Sequence, residues 1–283
     1  MTRLVALALA AALAVPAAGQ PARVRVAADR PAEVFWAPSV ITTPSVTMLP
    51  ARNLNVTIFH AFAPVSQGAG GLFGLDGPAN IRFGLDAGLT DWLTVGVGRT
   101  RFDKLIDARV KGAVLRQTER GTVPVSVVFA GNAALATEPD GRDLVAGLSY
   151  AGSVLVARRF GDALSIQVAP TVAHFNTVYE QVVDGTVETP ENTLVAVALG
   201  AQLRLSRGSA LLAEYVPVLS ARSDGTTNAL GVGVALDTGG HVFQLFVTAS
   251  PWATTQHTIG QTVDRALDGD VRLGFTVNRV FGR

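Results

Sequence analysis

The chain has 283 residues, of which 48 % are hydrophobic and 16 % charged, with a formal net charge of +1, no cysteine and a mean hydropathy of +0.34. A typical soluble domain carries about 25 % charged residues, so these figures exclude a disordered chain, a coiled coil, a disulfide scaffold and a strongly basic nucleic-acid binder. The apolar surplus has to be hidden, in a large core or in a membrane.

Residues 1–19 read as a signal peptide. Arg3 supplies the positive start, an apolar run follows, and Pro16-Ala17-Ala18-Gly19 offers small residues for cleavage. The apolar run, about 12 residues, is too short to span a bilayer, which takes about 20. Without cysteine the chain has no lipid-modified N-terminal thiol and no thiolate metal site. An exported protein is expected.

Residues 20–50 contain Pro21, Pro31, Pro38, Pro44 and Pro50, which prevent regular secondary structure over most of the segment. Its Val34-Phe35-Trp36 is too apolar for a free tail. The expectation is packing against or into the periplasmic mouth of whatever follows.

From residue 51 onward apolar and polar residues alternate with period 2, the pattern of half-buried strands. Ile81, Phe83, Leu85 and Ala87 oppose Arg82, Gly84 and Asp86; Leu93, Val95 and Val97 oppose Thr94, Gly96 and Gly98. Ile106, Ala108, Val110 and Val114 oppose Asp107, Arg109 and Lys111. The pattern continues over 164–172, 195–206, 230–237, 243–248 and 271–278, with less regular strands over 53–62, 123–134, 145–160 and 209–219. That is about 12 strands, long enough to cross a bilayer at a tilt. Short links at 89–91, 161–162, 207–208 and 238–240 alternate with long ones at 63–79, 135–144, 175–191, 220–227 and 250–269. The link at 101–105 is the one short exception on the long side. Tight turns on one rim and long loops on the other describe an all-β, antiparallel up-and-down transmembrane β-barrel over residues 51–283, with short periplasmic turns and longer outer loops. A soluble β-sandwich also alternates, but it has no systematic alternation of loop length.

The stretch LFGLDGPANIRFGLDAGLTDWLTVGVGR over 72–99, followed by Phe102-Asp103-Lys104, resembles an uncharacterised family of bacterial outer-membrane β-barrels catalogued as a domain of unknown function. LVARRF (155–160), QVAPTVAHFN (167–176), AEY (213–215), GGHVFQLFVT (239–248) and GDVRLGFTVNRVF (269–281) are similar to the same family in the same order. The resemblance implies an outer-membrane barrel. It implies no activity, because the family has no established catalytic or binding residues to transfer.

Candidate chemistry is sparse. His60, His174, His241 and His257 stand in no metal-ligand spacing, and no Gly-x-Ser-x-Gly elbow occurs. His174 and Asn176 share a strand face but lack a local serine. Gly-Val-Gly at 96–98 and 231–233 lies mid-strand, where inward glycines relieve crowding, rather than at a helix start as phosphate binding requires. The lumen-facing candidates are Arg82, Asp86, Asp107, Arg109, Lys111, Arg204, Glu214 and Arg272, five basic and three acidic. Lipid exposure would cost each of these groups several kcal/mol, so they belong in a hydrated or mutually paired interior. A weakly anion-preferring lumen and a self-neutralising brace both fit. Trp92, Trp252, Tyr150, Tyr215, Phe160 and Phe281 are candidates for interfacial girdles.

The expected role is a non-enzymatic barrel of the bacterial outer membrane, either a narrow pore for small solutes or a structural envelope protein. The alternatives are a barrel enzyme acting on lipids or lipopolysaccharide and a ligand-binding exported β-protein. No cofactor or metal is expected. The expected partners are outer-membrane lipids, lipopolysaccharide and, during insertion, the barrel-assembly machinery, with no nucleic acid.

Overall fold

A computed structural model describes residues 29–138 and 143–282; the signal peptide read at 1–19 lies outside the described residues. The strands are β1 (Leu54–Pro64), β2 (Asn80–Thr90), β3 (Leu93–Thr100), β4 (Ile106–Leu115), β5 (Ser126–Leu135), β6 (Leu148–Phe160), β7 (Leu164–Phe175), β8 (Gln181–Val183), β9 (Thr186–Glu188), β10 (Thr193–Arg204), β11 (Ser209–Val216), β12 (Ala229–Asp237), β13 (His241–Thr248) and β14 (Arg272–Phe281). All but β8 and β9 form one closed antiparallel barrel of 12 strands. Each barrel strand pairs with its neighbour in the chain, β7 with β10, and β14 returns to β1 from Leu54↔Phe281 to Ala61↔Gly274. Closure leaves no sheet edge with unpaired backbone groups, which is the condition for crossing lipid with strands.

Alternation sorts the side chains as the pleat requires. On β2 Phe83 is 59 % exposed on the outer face while its neighbour Arg82 is 1 % exposed on the inner one. Val97, Ile106, Phe129, Val172, Val232 and Leu245 are likewise exposed outward. At the short-turn rim Trp92, Phe160 and Phe281 carry the guanidinium groups of Arg116, Arg158 and Arg279 over their rings at 5.8, 5.0 and 5.2 Å. That arrangement suits an apolar–polar boundary, where rings stay in the apolar layer and charges reach water. Tyr150 and Tyr215 also face outward. Trp252 does not: it is buried inside the barrel, in the β13–β14 connection. His60 faces outward, stacked on Phe275 at 5.0 Å and against Phe62 at 4.2 Å.

Strand ends moved by a few residues from the sequence reading. The strand expected over 123–134 is β5, which begins at Ser126, and β11 ends at Val216 rather than 219. Besides short 3-10 turns, two elements stand outside the predicted strands. One is the β8–β9 hairpin in the long connection after β7. The other is a single-turn helix, α1 (Thr255–Gly260), whose residues 255–259 are buried. No helix among the described residues is long and apolar enough to cross a membrane.

The inner face is divided. Strands β2 to β4 present Arg82, Asp86, Asp107, Arg109 and Lys111, whereas β5 to β7 and β10 to β12 present mainly small or apolar groups such as Val128, Leu155, Ala169, Leu212 and Val216, with Gln167, Gln202 and Glu214 set among them. Side chains alone fill barrels of about 8 strands, while 16–18 strands enclose a channel. Twelve leave a space that this chain occupies with its own backbone.

Candidate functional site

Two segments fill the lumen. From the short-turn rim enters an N-terminal plug. Its outer end docks on the β4–β5 connection, where Pro31 bridges Thr118 and the Ala32 amide donates to the Gln117 carbonyl at 2.7 Å. Residues 34–49 then run into the barrel and back out to Pro50. Phe35, Val40 and Ile41 are essentially without solvent exposure. Val34, Phe35, Val40, Val46 and Met48 pack on the apolar half of the wall, against Val128, Leu155, Ala169, Leu194, Val216 and their neighbours. Burying each large side chain stabilises the docked state by about 1.5–3 kcal/mol, so this face supplies most of the plug's adhesion.

Proline and irregular backbone leave the plug with amides and carbonyls that no strand satisfies, and such groups must find partners when buried. Two charged wall residues provide them from opposite sides. The Glu214 carboxylate accepts from the Ile41, Thr42 and Thr43 amides at 3.2, 3.0 and 3.0 Å and from the Thr42 and Thr43 hydroxyls at 2.5 and 2.6 Å. The Lys111 ammonium donates to the carbonyls of Pro38 at 3.4 Å, Ser45 at 3.1 Å and Thr47. Gln167 accepts from the Val46 amide at 3.0 Å and donates to the Pro44 carbonyl at 2.8 Å; Gln244 donates to the Val40 carbonyl at 2.8 Å. Trp36 donates its amide to Gln202 at 3.2 Å, and Leu49 donates to Thr94 at 3.2 Å. Inside the lumen the plug is therefore held by wall side chains; its one strand-like bridge, Pro31 to Thr118, lies at the outer end.

Glycine makes the approach possible. A Cβ on Gly88 would stand 2.1 Å from the Pro50 carbonyl oxygen, and one on Gly200 would stand 2.8 Å from Val40 Cγ2.

From the long-loop rim the β13–β14 connection folds inward. Asn80 donates to the Pro251 carbonyl at 3.0 Å, Gln256 donates to the Ser149 hydroxyl at 3.2 Å, and Ile259 is fully buried among the wall residues that also contact the plug. His257 stacks obliquely on Trp252 at 4.9 Å and edge-on to Phe175 at 5.4 Å, with its Nδ1 2.9 Å from the Thr254 hydroxyl. Burial holds its imidazole down to about 3, opposed only in part by the Asp107 carboxylate.

Below about pH 6.5 an undocked His257 takes up a proton that the docked one refuses until about pH 3. The contribution of His257 to docking of this loop is therefore fully present above about pH 6.5, and the docking constant falls by up to tenfold per pH unit on acidification through that window. Trp252 fluorescence should report the change, and His257→Gln should flatten the profile. A wild-type signal constant from pH 7 to 4 would refute this assignment.

The eight sequence candidates divide in three. Arg82, Asp86, Asp107, Arg109 and Lys111 come together on β2 and β4. The Arg82 guanidinium makes a bidentate pair with Asp107, Nε to Oδ2 at 2.8 Å and Nη2 to Oδ1 at 2.7 Å. Arg109 Nε lies 3.7 Å from both Asp86 and Asp107. Register places Gly98 opposite Asp107, and a Cβ there would stand 2.0 Å from Arg82 Nη2, so the pair exists in the space a side chain would take. Glu214 stands on β11 and binds the plug. Arg204 and Arg272 are rim residues: Arg204 donates to the Glu33 carbonyl at 2.6 Å and lies over Trp36 at 5.5 Å, and Arg272 pairs with Asp264 in the inward loop.

His174 bonds the Thr193 hydroxyl at 2.8 Å, while Asn176 donates to the Val145 carbonyl at 2.7 Å, so the two do not pair. Among the described residues no group of three or more His, Asp or Glu side chains could hold a metal ion.

Sequence reasoning did not find Gln167, Gln202 and Gln244 as plug partners. The available signal was the polar amide at an inward position facing no charged neighbour. It also passed over the inward apolar residues Leu155, Leu212 and Val216, which a water-filled lumen would leave exposed.

Glu214→Ala should strand three plug amides at about 1–3 kcal/mol for each group left without a partner. The expected outcome is a folded barrel whose plug is cut by protease faster than in the wild type; equal cutting would remove Glu214 from the anchoring role.

A closed antiparallel sheet with an apolar outer belt, ring-and-guanidinium pairs at one rim and charges turned inward defines a membrane β-barrel. The chain belongs to the family described as a membrane-bound beta barrel domain (DUF5777), whose model matches residues 35–281 and so takes in most of the plug as well as the wall. No curated protein matches the sequence. Among solved structures, the NanC porin is similar at a TM-score of 0.50 and 8 % identity, over 81 % of this chain and 99 % of that one. The translocator domain of the autotransporter NalP from Neisseria meningitidis gives a TM-score of 0.39 at 11 % identity, over 82 % of this chain and 88 % of that one. At these identities the likeness is one of fold.

Proposed function

We propose that this chain is a narrow pore of the bacterial outer membrane for small solutes, non-enzymatic, and closed at rest by its own N-terminal plug. The observation that carries the reading is how the plug is held. Beyond the bridge of Pro31 to Thr118 at its outer end, it has no strand pairing to the wall; inside the lumen its bonds go to individual side chains, chiefly Glu214 and Lys111, and it lies beside a strip of five charged residues. A segment bound in this way can leave without breaking the barrel's own hydrogen bonds. The strip it uncovers suits passage of small polar or charged solutes, since charged rings and walls set selectivity in pores. On this reading the short-turn rim is periplasmic, the long loops face outward, and the surrounding partners are outer-membrane lipids and lipopolysaccharide, with the barrel-assembly machinery acting at insertion.

The test uses the absence of native cysteine. A Cβ at position 200 would lie 3.5 Å from Val40 Cβ, inside the range that a disulfide takes. In planar bilayers the Val40→Cys/Gly200→Cys double variant should stay silent at every applied potential when oxidised and should open under high potential when reduced. Equal conductance in both states refutes closure by the plug. Silence of the wild-type and reduced proteins under every applied potential would instead favour a structural envelope role, which the filled lumen also suits.

A further inference from the structure

Between the plug, the inward loop and the β2–β4 wall lies a cavity of about 60 Å³. Its lining includes Arg82, Asp86, Arg109, Lys111 and Thr276. The chemistry around it is unbalanced in a specific way.

Arg82 spends Nε and Nη2 on Asp107, leaving Nη1 outside that pair. The vacant Cβ position of Gly84 lies 2.4 Å from Arg82 Nη1 and 2.9 Å from Arg109 Nη2, so the two guanidinium groups flank one point. Like charges this close repel, and in a barrel girdled by lipid little water screens them. The carboxylates nearby are already engaged: Asp107 by Arg82, and Asp86 as acceptor of the Asn55 side-chain amide at 3.4 Å. Arg109 reaches each of them only at 3.7 Å. Its Nε and Nη2 are buried and have no hydrogen-bond partner among the described residues, and the Thr276 hydroxyl is in the same position. Lys111 adds a third cation to the lining, against two carboxylates, Asp86 in the lining and Asp107 behind Arg82, so one positive charge is in excess.

We infer that this cavity binds a halide-sized monovalent anion, held by Arg109 Nε and Nη2 and by Arg82 Nη1. Water could accept from the unpartnered donors but would leave the excess positive charge uncompensated, and a buried charge without a counter-charge is the costlier defect. An anion supplies the acceptor and the charge together. The volume suits it: a water needs about 10–15 Å³ of such space, so the cavity takes one small ion with a few waters. This site does not depend on the barrel conducting; it is filled with the plug in place.

Bromide is the probe. Crystals of the full chain grown in sodium bromide should show anomalous density between the Arg82 and Arg109 guanidinium groups. In detergent, at constant ionic strength made up with gluconate, the thermal midpoint should rise with the logarithm of chloride concentration, as binding to the folded state alone requires. Arg109→Leu should lose both the density and the chloride dependence while keeping the heat-modifiable migration of a folded barrel. If that variant does not fold, the two wild-type measurements still decide. No anomalous peak, together with equal midpoints in chloride and gluconate, means that the cavity holds water only and overturns the inference.

Discussion

Removal of residues 33–49 should convert a chain that opens in planar bilayers only under applied potential into one with a steady open level. Those residues account for the plug's whole course through the lumen, and their bonds to Gln167, Gln202, Glu214, Gln244 and Lys111 are among those lost. The wall's own ladder, from β1–β14 round to β1–β2, includes no plug residue. The barrel should therefore still form, although less stably. Val128, Leu155, Leu212 and Val216, buried in the intact protein, would face water, each losing about 1.5–3 kcal/mol of burial. Heat-modifiable migration on a detergent gel should persist at a lower transition temperature. A folded deletion variant with baseline conductance and unchanged thermal stability would sink the plug assignment.

The second large effect is expected at Asp107. Its side chain and that of Arg82 are 0 % and 1 % exposed, and their two hydrogen bonds are short and parallel. Asp107→Ala leaves the Arg82 guanidinium inside the barrel without its paired carboxylate, and breaking a buried pair in this way costs about 3–5 kcal/mol. Asp107 is also one of the two carboxylates nearest Arg109, so the uncompensated charge grows from one group to two. Replacing both partners, Arg82→Met with Asp107→Leu, should recover much of the loss, because the penalty lies in the orphaned charge rather than in the missing attraction. The measurement is the urea midpoint of folding into lipid vesicles for the two singles and the double. A single-variant loss under about 1 kcal/mol would mean that water reaches the pair and that the strip is a hydrated surface.

Much of the fold was legible residue by residue. On β2 and β4 the alternation of Phe83 with Arg82, or of Val110 with Arg109, is forced by the pleat, so period-2 patterning alone orients those strands. The β11 strand was harder, since inward Leu212 and Val216 are as apolar as outward Leu211 and Tyr215. Its ambiguity has a cause that local sequence does not contain: those inward residues face Trp36, Ile41 and Val40 of the plug rather than water. Trp252 failed as a girdle residue for the same reason. Its connection folds into the lumen, where its indole donates to the Gln261 carbonyl at 3.0 Å.

The eight inward charges were all legible as groups that lipid would not accept, but not what each one does. Register decides that. It sets Arg109 opposite Gly96 and Asp107 opposite Gly98, and so builds the cluster in space that glycine leaves free.

The opening figures, 16 % charge and 48 % hydrophobic residues, by themselves determined that apolar surface had to be hidden, and alternation determined that strands would hide it in a belt. Which residues face outward, which turns are short and that the sheet closes all follow from nearest-neighbour geometry along the chain. The tertiary structure alone decided that the lumen is filled. Plugging is a matter of contacts between residues as far apart as Thr42 and Glu214, or Ser45 and Lys111. Such contacts depend on the diameter at which the barrel closes and on the depth to which a proline-rich segment can enter it, and neither quantity has a local signature.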